Sequence, residues 1–486
     1  MAADRLTLAD LVAALAVVEG QLPADLLRQV RIDSAVIDSR LASPGCLFIA
    51  LRGEHHDGHA FIAEAIDKGA VAIIAEREPT GRCTTLGAGD WSPDLPLCIV
   101  VPNSLAGLQQ AAAYWRRQHD VRVVCITGSV GKTTSKEVIA AVLSERFRTL
   151  RNEGNYNNEI GLPVTLLNLT GRHERVVLEM GMYDVGEISQ LAEISLPQVG
   201  VVTNVGPSHL ERLGTIERIA QAKAELPQAL PPADEGGVAV LNADDPWVMA
   251  MADQTQARVF TYGLHPEADL WADDIEGEGL EGIHFRFHYG SETLYARVPM
   301  LGRHSVHTAL RAAAVGLLEG LGWEEIMAGL RDQTAQLRLV AVPGPAGSTL
   351  LDDTYNSSPA SCIAALNLLD ELGELEGRGR KIAVLGDMYE LGTHEEEGHK
   401  LVGRRARDVV DVLVAVGPLG RIIGEEALKA GMPAKSVYLV ETNAQAVDLL
   451  RDLIAPSPVG DKVLIKGSRG MEMEEIVTAL QEGEAS

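Results

Sequence analysis

The stretch that decides the fold reads Thr127-Gly128-Ser129-Val130-Gly131-Lys132-Thr133-Thr134. The apolar run Val121 to Ile126 precedes it as a predicted strand, and the run Lys136 to Leu143 follows it as a predicted helix. Such a glycine-rich turn directs backbone N–H groups at phosphate oxygens and places its lysine on the β- and γ-phosphates and its threonine on Mg²⁺. Ile126 stands where the usual G-x-x-x-x-G-K-[ST] motif has its first glycine, so this phosphate loop is a shorter one. We predict that residues 128–134 bind a nucleotide.

Strand-like and helix-like segments alternate on both sides of this loop, which predicts an α/β fold with largely parallel sheets. A length of 486 residues corresponds to about three domains at roughly 150 residues each. We place them at residues 1–101, 102–333 and 334–486, the second a central P-loop domain and the third Rossmann-like. Because the third has no G-x-G-x-x-G after a strand, a dinucleotide site there has little support. The alternating runs Phe285 to Tyr289 and Thr293 to Val298 predict an antiparallel hairpin.

The composition describes an acidic chain that can fold. Hydrophobic residues make up 46% of it, enough for several cores, which argues against disorder. With 42 Lys and Arg against 68 Asp and Glu, the net charge is −26. This charge repels phosphate backbones and anionic lipids, so nucleic acids and membrane surfaces are poor partners, whereas one local basic loop suffices for a small phosphate ligand.

The cysteines and the apolar runs predict a cytoplasmic protein without membrane insertion. The five cysteines never form C-x-x-C, as expected for reduced thiols, and they are Cys46, Cys83, Cys98, Cys125 and Cys362. The longest early apolar run, Leu11 to Val18, has neither a basic leader nor a cleavage site and predicts an amphipathic helix.

Three further residues are candidates for chemistry, each with a plainer alternative. Glu179 follows the predicted strand Val176 to Leu178 and is either a Mg²⁺ ligand or the cap of a turn. His209 follows another strand and, judged alone, is more often structural than a ligand. Lys223 lies on the predicted helix Ile216 to Leu226, where residue type alone predicts a solvated surface lysine.

Two histidine-containing stretches do not form the sites that they suggest. His394 and Glu395 begin the zinc motif H-E-x-x-H, but its second histidine would fall at Gly398, and His399 is one position too late. The loop from His55 to His59 contains Asp-Gly, which is typical of a turn rather than of a metal cluster.

Several motifs together resemble one family. After the phosphate loop come Gly154-Asn155-Tyr156-Asn157-Asn158-Glu159-Ile160-Gly161-Leu162-Pro163, Leu178-Glu179-Met180-Gly181, Asn204-Val205-Gly206-Pro207-Ser208-His209-Leu210 and Ala222-Lys223-Ala224-Glu225. Further segments that agree are Asp352-Asp353-Thr354-Tyr355-Asn356, Leu385-Gly386-Asp387-Met388-Tyr389-Glu390-Leu391-Gly392 and Lys466-Gly467-Ser468-Arg469-Gly470-Met471. In this order they resemble the Mur ligases of peptidoglycan synthesis, and most of all the branch that adds D-alanyl-D-alanine to UDP-N-acetylmuramoyl-tripeptide.

The resemblance implies a division of labour. The first domain is similar to the UDP-binding domain of this family through Asp38-Ser39-Arg40, Pro44-Gly45-x-Leu47-Phe48-x-Ala50 and Asp57-Gly58-His59. By this similarity Ser39 and His59 would face the uridine, and Asn157 and Asn158 the muramoyl part of the substrate. From the third domain, Arg338 and Asp353 would reach the nucleotide. That domain would have to close over ATP to complete the site.

The resemblance also implies a reaction: the tripeptide carboxylate attacks the γ-phosphate of ATP, and the amine of D-Ala-D-Ala displaces phosphate from the acyl phosphate. Lys132 and two Mg²⁺ ions would neutralise the charge, with Thr133 and Glu179 on the first ion and His209 on the second. Lys223 matches the lysine that the family carboxylates, so N6-carboxylysine is expected there, and its interval from the histidine, 223 − 209 = 14, agrees. We expect a monomer.

One segment departs from the family pattern. Members commonly read His-Asn-x-x-Asn-Ala, whereas this chain reads His304-Ser305-Val306-His307-Thr308-Ala309. Asparagine both donates to and accepts from adenine, whereas Thr308 offers only a hydroxyl. We therefore expect that adenine is held less tightly here or by other residues.

Other functions remain as alternatives. A sibling ligase that adds the third residue of the peptide and a folylpolyglutamate synthase are the related ones, although the uridine-type first domain argues against the folate enzyme. A P-loop ATPase that regulates or moves a partner is a different class. In such ATPases the strand after the phosphate loop usually ends in Asp, whereas this chain has Glu179 there. A non-catalytic scaffold is disfavoured because the candidate residues are all present.

Overall fold

The computed structural model describes residues 5–15, 24–53, 56–79, 83–85, 95–207, 210–332, 339–375, 379–454, 456 and 460–482. Strands in these residues form three sheets of five, nine and six strands. Each sheet lies within one of the predicted domains, and the predicted α/β class is confirmed. The boundaries at residues 101 and 333 stay predictions. In the described part of the chain, no helix is long and apolar enough to cross a membrane.

The first sheet is entirely parallel, in the order β1-β2-β3-β5-β4. Its strands are β1 (Ser34–Val36), β2 (Cys46–Ile49), β3 (Ala72–Ala75), β4 (Thr84–Thr85) and β5 (Leu97–Val100). The helices of this part are α1 (Leu8–Ala14), α2 (Ala24–Gln29) and α3 (Ile62–Asp67). Strands β2 and β3 are buried along their whole length, as expected for parallel strands covered on both faces.

The central sheet has the order β14-β13-β12-β11-β10-β9-β6-β8-β7. Its strands are β6 (Arg122–Thr127), β7 (Thr149–Arg151), β8 (Arg175–Glu179), β9 (Val199–Val202), β10 (Val238–Asn242), β11 (Arg258–Gly263), β12 (Leu270–Gly277), β13 (Ile283–Tyr289) and β14 (Glu292–Val298). Its helices are α4 (Ser104–Arg117), α5 (Lys132–Ser144), α6 (Gly161–Leu167), α7 (Glu187–Ser195), α8 (Leu210–Leu213), α9 (Ile216–Gln228), α10 (Pro246–Met249), α11 (Val306–Leu318) and α12 (Trp323–Leu330). The strands from β7 to β12 are parallel, and β13 and β14 pair as the predicted antiparallel hairpin.

The third sheet has the order β15-β16-β20-β17-β18-β19 and is parallel except for β15. Its strands are β15 (Val340–Pro343), β16 (Thr349–Asp352), β17 (Lys381–Leu385), β18 (Val412–Val416), β19 (Val437–Val440) and β20 (Lys462–Lys466). Its helices are α13 (Pro359–Leu375), α14 (Glu395–Val409), α15 (Gly417–Lys429), α16 (Asn443–Leu453) and α17 (Glu474–Glu482).

The order of the central sheet decides where a ligand can bind. Strand β6 lies between β8 on one side and β9 on the other, so the chain leaves β6 at a point where the connections diverge. Ile126 pairs with Glu179 of β8, and Thr127 pairs with Val202 of β9. The carboxyl ends of the three strands therefore lie side by side, and crevices at such points are where open α/β sheets bind ligands.

Some predicted elements have different bounds. Helix α5 begins at Lys132, four residues earlier than predicted, because the phosphate loop leads directly into its first turn. The early helix α1 spans Leu8–Ala14, whereas the predicted run extends into residues 16–23, which lie outside the described residues. Strands β11 and β12 were not predicted, since neither has a clean alternation of apolar and polar residues.

Candidate active site

The phosphate loop is positioned by the strand and the helix that flank it. Thr127 ends β6, and Gly131 adopts a left-handed conformation (φ 82°) as the residue that precedes α5. Gly128 has φ 142°, and a Cβ there would lie 1.9 Å from the hydroxyl oxygen of Thr203. Only glycine fits this close approach. Lys132 donates from Nζ to the carbonyl oxygen of Gly128 at 2.8 Å.

The segment Thr203 to Gly206 holds this loop in place. The hydroxyl of Thr203 donates to the carbonyl of Val130 at 2.7 Å, and the amide of Asn204 donates to the same carbonyl at 3.0 Å. In return, Asn204 accepts from the backbone N–H of Val130 at 2.9 Å. The motif that precedes His209 therefore fixes the conformation of the phosphate loop.

Thr133 and Glu179, the pair predicted for the first Mg²⁺, meet in the structure. The Thr133 hydroxyl donates to Glu179 Oε2 at 2.6 Å, and both residues are buried. Asn157 donates from its amide to the other carboxylate oxygen at 2.8 Å. Asn152, fully buried, accepts from the backbone N–H of Glu179 at 2.9 Å. A hydroxyl and a carboxylate at the start of a phosphate-loop helix are oxygen donors of the kind that Mg²⁺ binds.

These oxygen donors fit Mg²⁺ that is shared with a bound phosphate. Among the described residues, no group of three or more His, Cys, Asp or Glu side chains could hold a metal ion. Mg²⁺ sites commonly use one or two carboxylates and complete the shell with substrate phosphates and water. The Thr133 and Glu179 pair is therefore compatible with that mode of binding.

Lys223 lies on α9 and is only 1% exposed. The expectation of a solvated surface lysine, drawn from residue type alone, is wrong. Burial, together with the positive charge of Lys132, holds the pKa of the Lys223 amine well below its ordinary value. Desolvation of this kind disfavours the ammonium form and so raises the share of neutral, nucleophilic amine.

A cleft of roughly 1110 Å³ opens between the phosphate loop and the third domain. Its wall includes Ser129, Val130, Gly131, Lys132, Thr134, Asn157, Asn158, Glu179 and Asp353 from the predicted site. Across the cleft, the fully buried amine of Lys466 forms an ion pair with Asp353 at 2.7 Å. Lys466 was not predicted as a site residue, although its place directly after an apolar strand offered a signal.

Three basic side chains at and near the start of α11 line the same cleft, namely His304, His307 and Arg311. His307 contacts Asp244 Oδ2 through Nε2 at 2.7 Å. His304 lines the cleft, where the loss of water and the charges of His307, Lys466 and Arg311 lower its pKa to about 4. The ring of His304 is therefore neutral at neutral pH, and the guanidinium of Arg311 supplies positive charge on this wall.

Ser39 and His59, predicted for the uridine end, lie in the first domain away from this cleft. Ser39 donates to Glu64 at 2.8 Å. His59 contacts Asp57 through Nδ1 at 2.6 Å and accepts from the backbone N–H of Glu76 through Nε2 at 2.9 Å. Backbone and ring contacts from His59 lower the pKa of Asp57 to about 2. Both ring nitrogens of His59 are therefore engaged within the domain, which gives this residue a role in shaping the loop.

Two predicted site residues, His209 and Arg338, lie outside the described residues. Asn158, in contrast, is described and accepts from the backbone N–H of Gly161 at 2.9 Å, at the start of α6.

The remaining motif histidine is structural. His399 is fully buried; its Nδ1 bonds the carbonyl of Glu395 at 2.6 Å, and its Nε2 accepts from the N–H of Met388 at 3.0 Å. This arrangement requires the neutral ring, and burial lowers the pKa of His399 accordingly.

Sequence profiles of one protein family match most of the chain. The Mur ligase middle domain matches residues 126–316, and the Mur ligase glutamate ligase domain matches residues 337–469. The profile described as the catalytic domain of the Mur ligase family matches residues 31–90. The chain belongs to the Mur ligase family.

Nearly full-length relatives narrow the assignment. A UDP-N-acetylmuramoyl-tripeptide--D-alanyl-D-alanine ligase of Bacillus subtilis is 36% identical over 96% of this chain and 97% of its own length. MurF from Acinetobacter baumannii superimposes with a TM-score of 0.84 at 31% identity, over 99% of this chain and 100% of its own. A MurF ligase from Thermotoga maritima, in complex with ADP, superimposes with a TM-score of 0.76 at 27% identity, over 93% of this chain and 98% of its own. Within the family, the chain groups with MurF, and the predicted three-domain Mur ligase architecture is confirmed.

Proposed function

We propose that the chain joins D-alanyl-D-alanine to UDP-N-acetylmuramoyl-tripeptide at the expense of ATP, forming the pentapeptide precursor of peptidoglycan. The likeness to ligases of that name supports this function. The structural observation that carries it is the 2.6 Å contact between Thr133 and Glu179 at the start of α5. This contact supplies oxygen donors for a Mg²⁺-nucleotide beside a lysine on the phosphate loop.

The first step joins two anions, so charge must be neutralised. The terminal carboxylate of the tripeptide attacks the γ-phosphorus, the bond to the bridging oxygen breaks, and ADP leaves with the electron pair. Lys132, which lines the cleft at the phosphate loop, would balance charge on the β- and γ-phosphates. Mg²⁺, when bound, supplies further neutralisation; Thr133 and Glu179 would hold one ion, and His209 a second.

The second step makes the amide bond. The amine of D-Ala-D-Ala attacks the acyl carbon of the acyl phosphate, inorganic phosphate leaves, and the nitrogen loses a proton. An acyl phosphate is readily hydrolysed, so we propose that the third domain closes over the cleft and excludes water. Asp353 and Arg338 would then reach the nucleotide, while Asn157 and Asn158 would face the muramoyl part and Ser39 and His59 the uridine end.

We propose that Lys223 is carboxylated. Its neutral amine attacks the carbon of CO₂, the N–C bond forms as one C=O π pair moves onto oxygen, and the nitrogen loses a proton, which leaves an anionic carbamate with two oxygen donors. The burial of Lys223 and its lowered pKa support this step, because only the unprotonated amine reacts.

We further propose a monomeric, cytoplasmic enzyme with domains at residues 1–101, 102–333 and 334–486. The five cysteines are unpaired, in keeping with a reducing compartment. Burial raises the pKa of the Cys98 and Cys125 thiols to about 12, so both stay protonated and unreactive.

The test is phosphate release from ATP with UDP-N-acetylmuramoyl-tripeptide and D-Ala-D-Ala added singly and together. We expect release only when both are present. Release with ATP alone would indicate a regulatory ATPase. Release with UDP-N-acetylmuramoyl-dipeptide and a diamino acid would indicate the sibling ligase instead.

A further inference from the structure

Arg311, on α11, is a buried cation that the mechanism above does not use. It is 4% exposed, yet its guanidinium lines the cleft. Nη2 donates to the hydroxyl of Thr308 at 2.9 Å, and Nη1 to the hydroxyl of Tyr262 at 3.4 Å. Both of these acceptors are neutral.

The remaining nitrogen of the guanidinium, Nε, is buried and makes no hydrogen bond within the described residues. A buried charge without an ionic partner is unfavourable, and an arginine that has only hydroxyl partners retains capacity for an anion. Arg311 therefore faces the cleft with a hydrogen-bond donor and a positive charge that an anionic ligand could bind.

The guanidinium lies against the phosphate loop. A Cβ built on Gly131, the residue that precedes α5, would lie 3.4 Å from Arg311 Nη2. The start of this 13-residue helix is where backbone N–H groups favour an anion. A cation at the same place strengthens phosphate binding, and a guanidinium suits phosphate because its planar donors bind two oxygens at once.

Thr308 and Tyr262 orient this group. Tyr262 is fully buried; its hydroxyl lies 3.3 Å from the carbonyl of Thr203, the residue that holds the phosphate loop. The Arg311 carbon Cζ lies 5.8 Å from the centre of the Tyr262 ring. Thr308, at the position where the family pattern has an asparagine, thus accepts a hydrogen bond from Arg311.

We propose that Arg311 is a second cation, besides Lys132, that binds the phosphate chain of the nucleotide, and that Thr308 positions it. This inference rests on the proposed binding of ATP. Since the guanidinium provides charge-assisted hydrogen bonds, we expect Arg311→Ala to weaken ADP binding about 10- to 100-fold. Arg311→Lys keeps the charge without the planar donors, so its affinity for ADP should lie between those of the wild type and Arg311→Ala. Adenosine, which has no phosphate, should bind the variants and the wild type within about 3-fold.

The measurement is titration calorimetry of the full chain with Mg²⁺-ADP and with adenosine, alongside thermal unfolding of each protein. Arg258→Ala is the matched control. It removes the same charge from an exposed position at the first residue of β11, the strand that carries Tyr262 near its other end. Guanidinium at millimolar concentration should restore ADP affinity to Arg311→Ala, while urea at the same concentration should not.

Three outcomes would overturn the proposal: folded Arg311 variants that bind ADP as the wild type does, adenosine affinity that falls as much as ADP affinity, or equal rescue by urea and guanidinium. If Arg311→Ala does not fold, Thr308→Val and Arg311→Lys decide, and unchanged ADP affinity in both rejects the idea. A wild type that binds no ADP at all would instead refute the proposed use of ATP.

Discussion

Lys223 illustrates how the surroundings of one residue set its chemistry. The same side chain would be a solvated ammonium on an exposed helix face, yet here it is 1% exposed beside Lys132, and its pKa is lowered. This burial costs folding free energy, because desolvation disfavours the ammonium form. A carbamate at this position would act as a metal ligand, which an ammonium cannot do.

Replacing Lys223 with Met should separate stability from activity. We expect ligation to fall at least about 100-fold, because the oxygen donors of the carbamate are lost. In CO₂-depleted buffer the unmodified wild type holds fewer protons than its unfolded chain at pH values between its lowered pKa and about 10.5, so its stability rises with pH in that window. The Met variant lacks this dependence and should be the more stable protein at pH 7.

Urea unfolding at pH 7 and pH 9.5, together with the ligation assay, checks this prediction. Arg218→Met is the control, because it removes a cation from the exposed face of the same helix. Full activity in Lys223→Met would remove the carbamate from the mechanism.

The Thr133 and Glu179 pair should govern the need for Mg²⁺. Glu179→Gln keeps the shape of the side chain but removes its charge, so we expect the half-saturating Mg²⁺ concentration for phosphate release to rise at least about 10-fold. Thr133→Ser keeps the hydroxyl and should be nearly unchanged, whereas Thr133→Val should behave like Glu179→Gln. Glu193→Gln, on an exposed position of α7, serves as the control. An unaltered Mg²⁺ dependence in Glu179→Gln would argue against this pair as metal ligands.

At the scale of elements, the phosphate loop depends on the strand beside it. Gly128 approaches Thr203 so closely that a methyl group cannot be added without moving the loop or Thr203, whose hydroxyl bonds the loop at Val130. We therefore expect Gly128→Ala to weaken ADP binding by more than about 10-fold, since the backbone N–H groups no longer converge on one phosphate.

The control for this substitution is Gly290→Ala. Gly290 also has a positive φ, 57°, but a Cβ there meets nothing within 4 Å, so it tests backbone strain without a clash. Calorimetric titration with ADP compares the two variants. Equal affinities in both would mean that the contact between the loop and Thr203 does not matter for binding.

His399 links helix α14 to the segment after β17, and it can do so only as a neutral ring. Protonation of His399 would break its bond from the backbone N–H of Met388. The pKa of His399 is lower in the folded protein than in the unfolded chain, so the unfolded state takes up the proton first as pH falls below about 6.5. We expect stability to be complete above that pH and to decline below it.

The comparison of interest is between the wild type and His399→Gln, unfolded with urea from pH 7.5 to pH 5. The variant should be less stable at pH 7.5 but should lose less stability on acidification. Parallel pH profiles for the two proteins would assign the acid sensitivity to other groups.

For the whole molecule, the net charge of −26 and the local cations act in opposite directions on the substrates. The chain repels ATP and a UDP-sugar peptide at long range, whereas Lys132 and Arg311 attract them within the cleft. Long-range repulsion is screened by salt over a Debye length of roughly 10 Å at 0.1 M, and contacts inside the cleft are screened less.

The association rate of Mg²⁺-ATP should therefore rise when ionic strength increases from about 10 mM to about 150 mM. Stopped-flow measurements with a fluorescent ATP analogue give this rate, with the uncharged nucleoside as the control that should not respond. A rate that falls with added salt would mean that the cations of the cleft already dominate the field outside it.

The sequence by itself determined the α/β alternation, the phosphate loop and the family, because these depend on local periodicity and on residues that are contiguous in the chain. It also singled out Thr133 and Glu179, since each belongs to a short motif at the end of a strand. It did not reveal the burial of Lys223, because a helix of mixed polarity has no sign of which face is covered. Only the tertiary structure brought Arg311 against Gly131, since that contact depends on how α11 packs against α5, and packing between distant segments is not written in any local pattern.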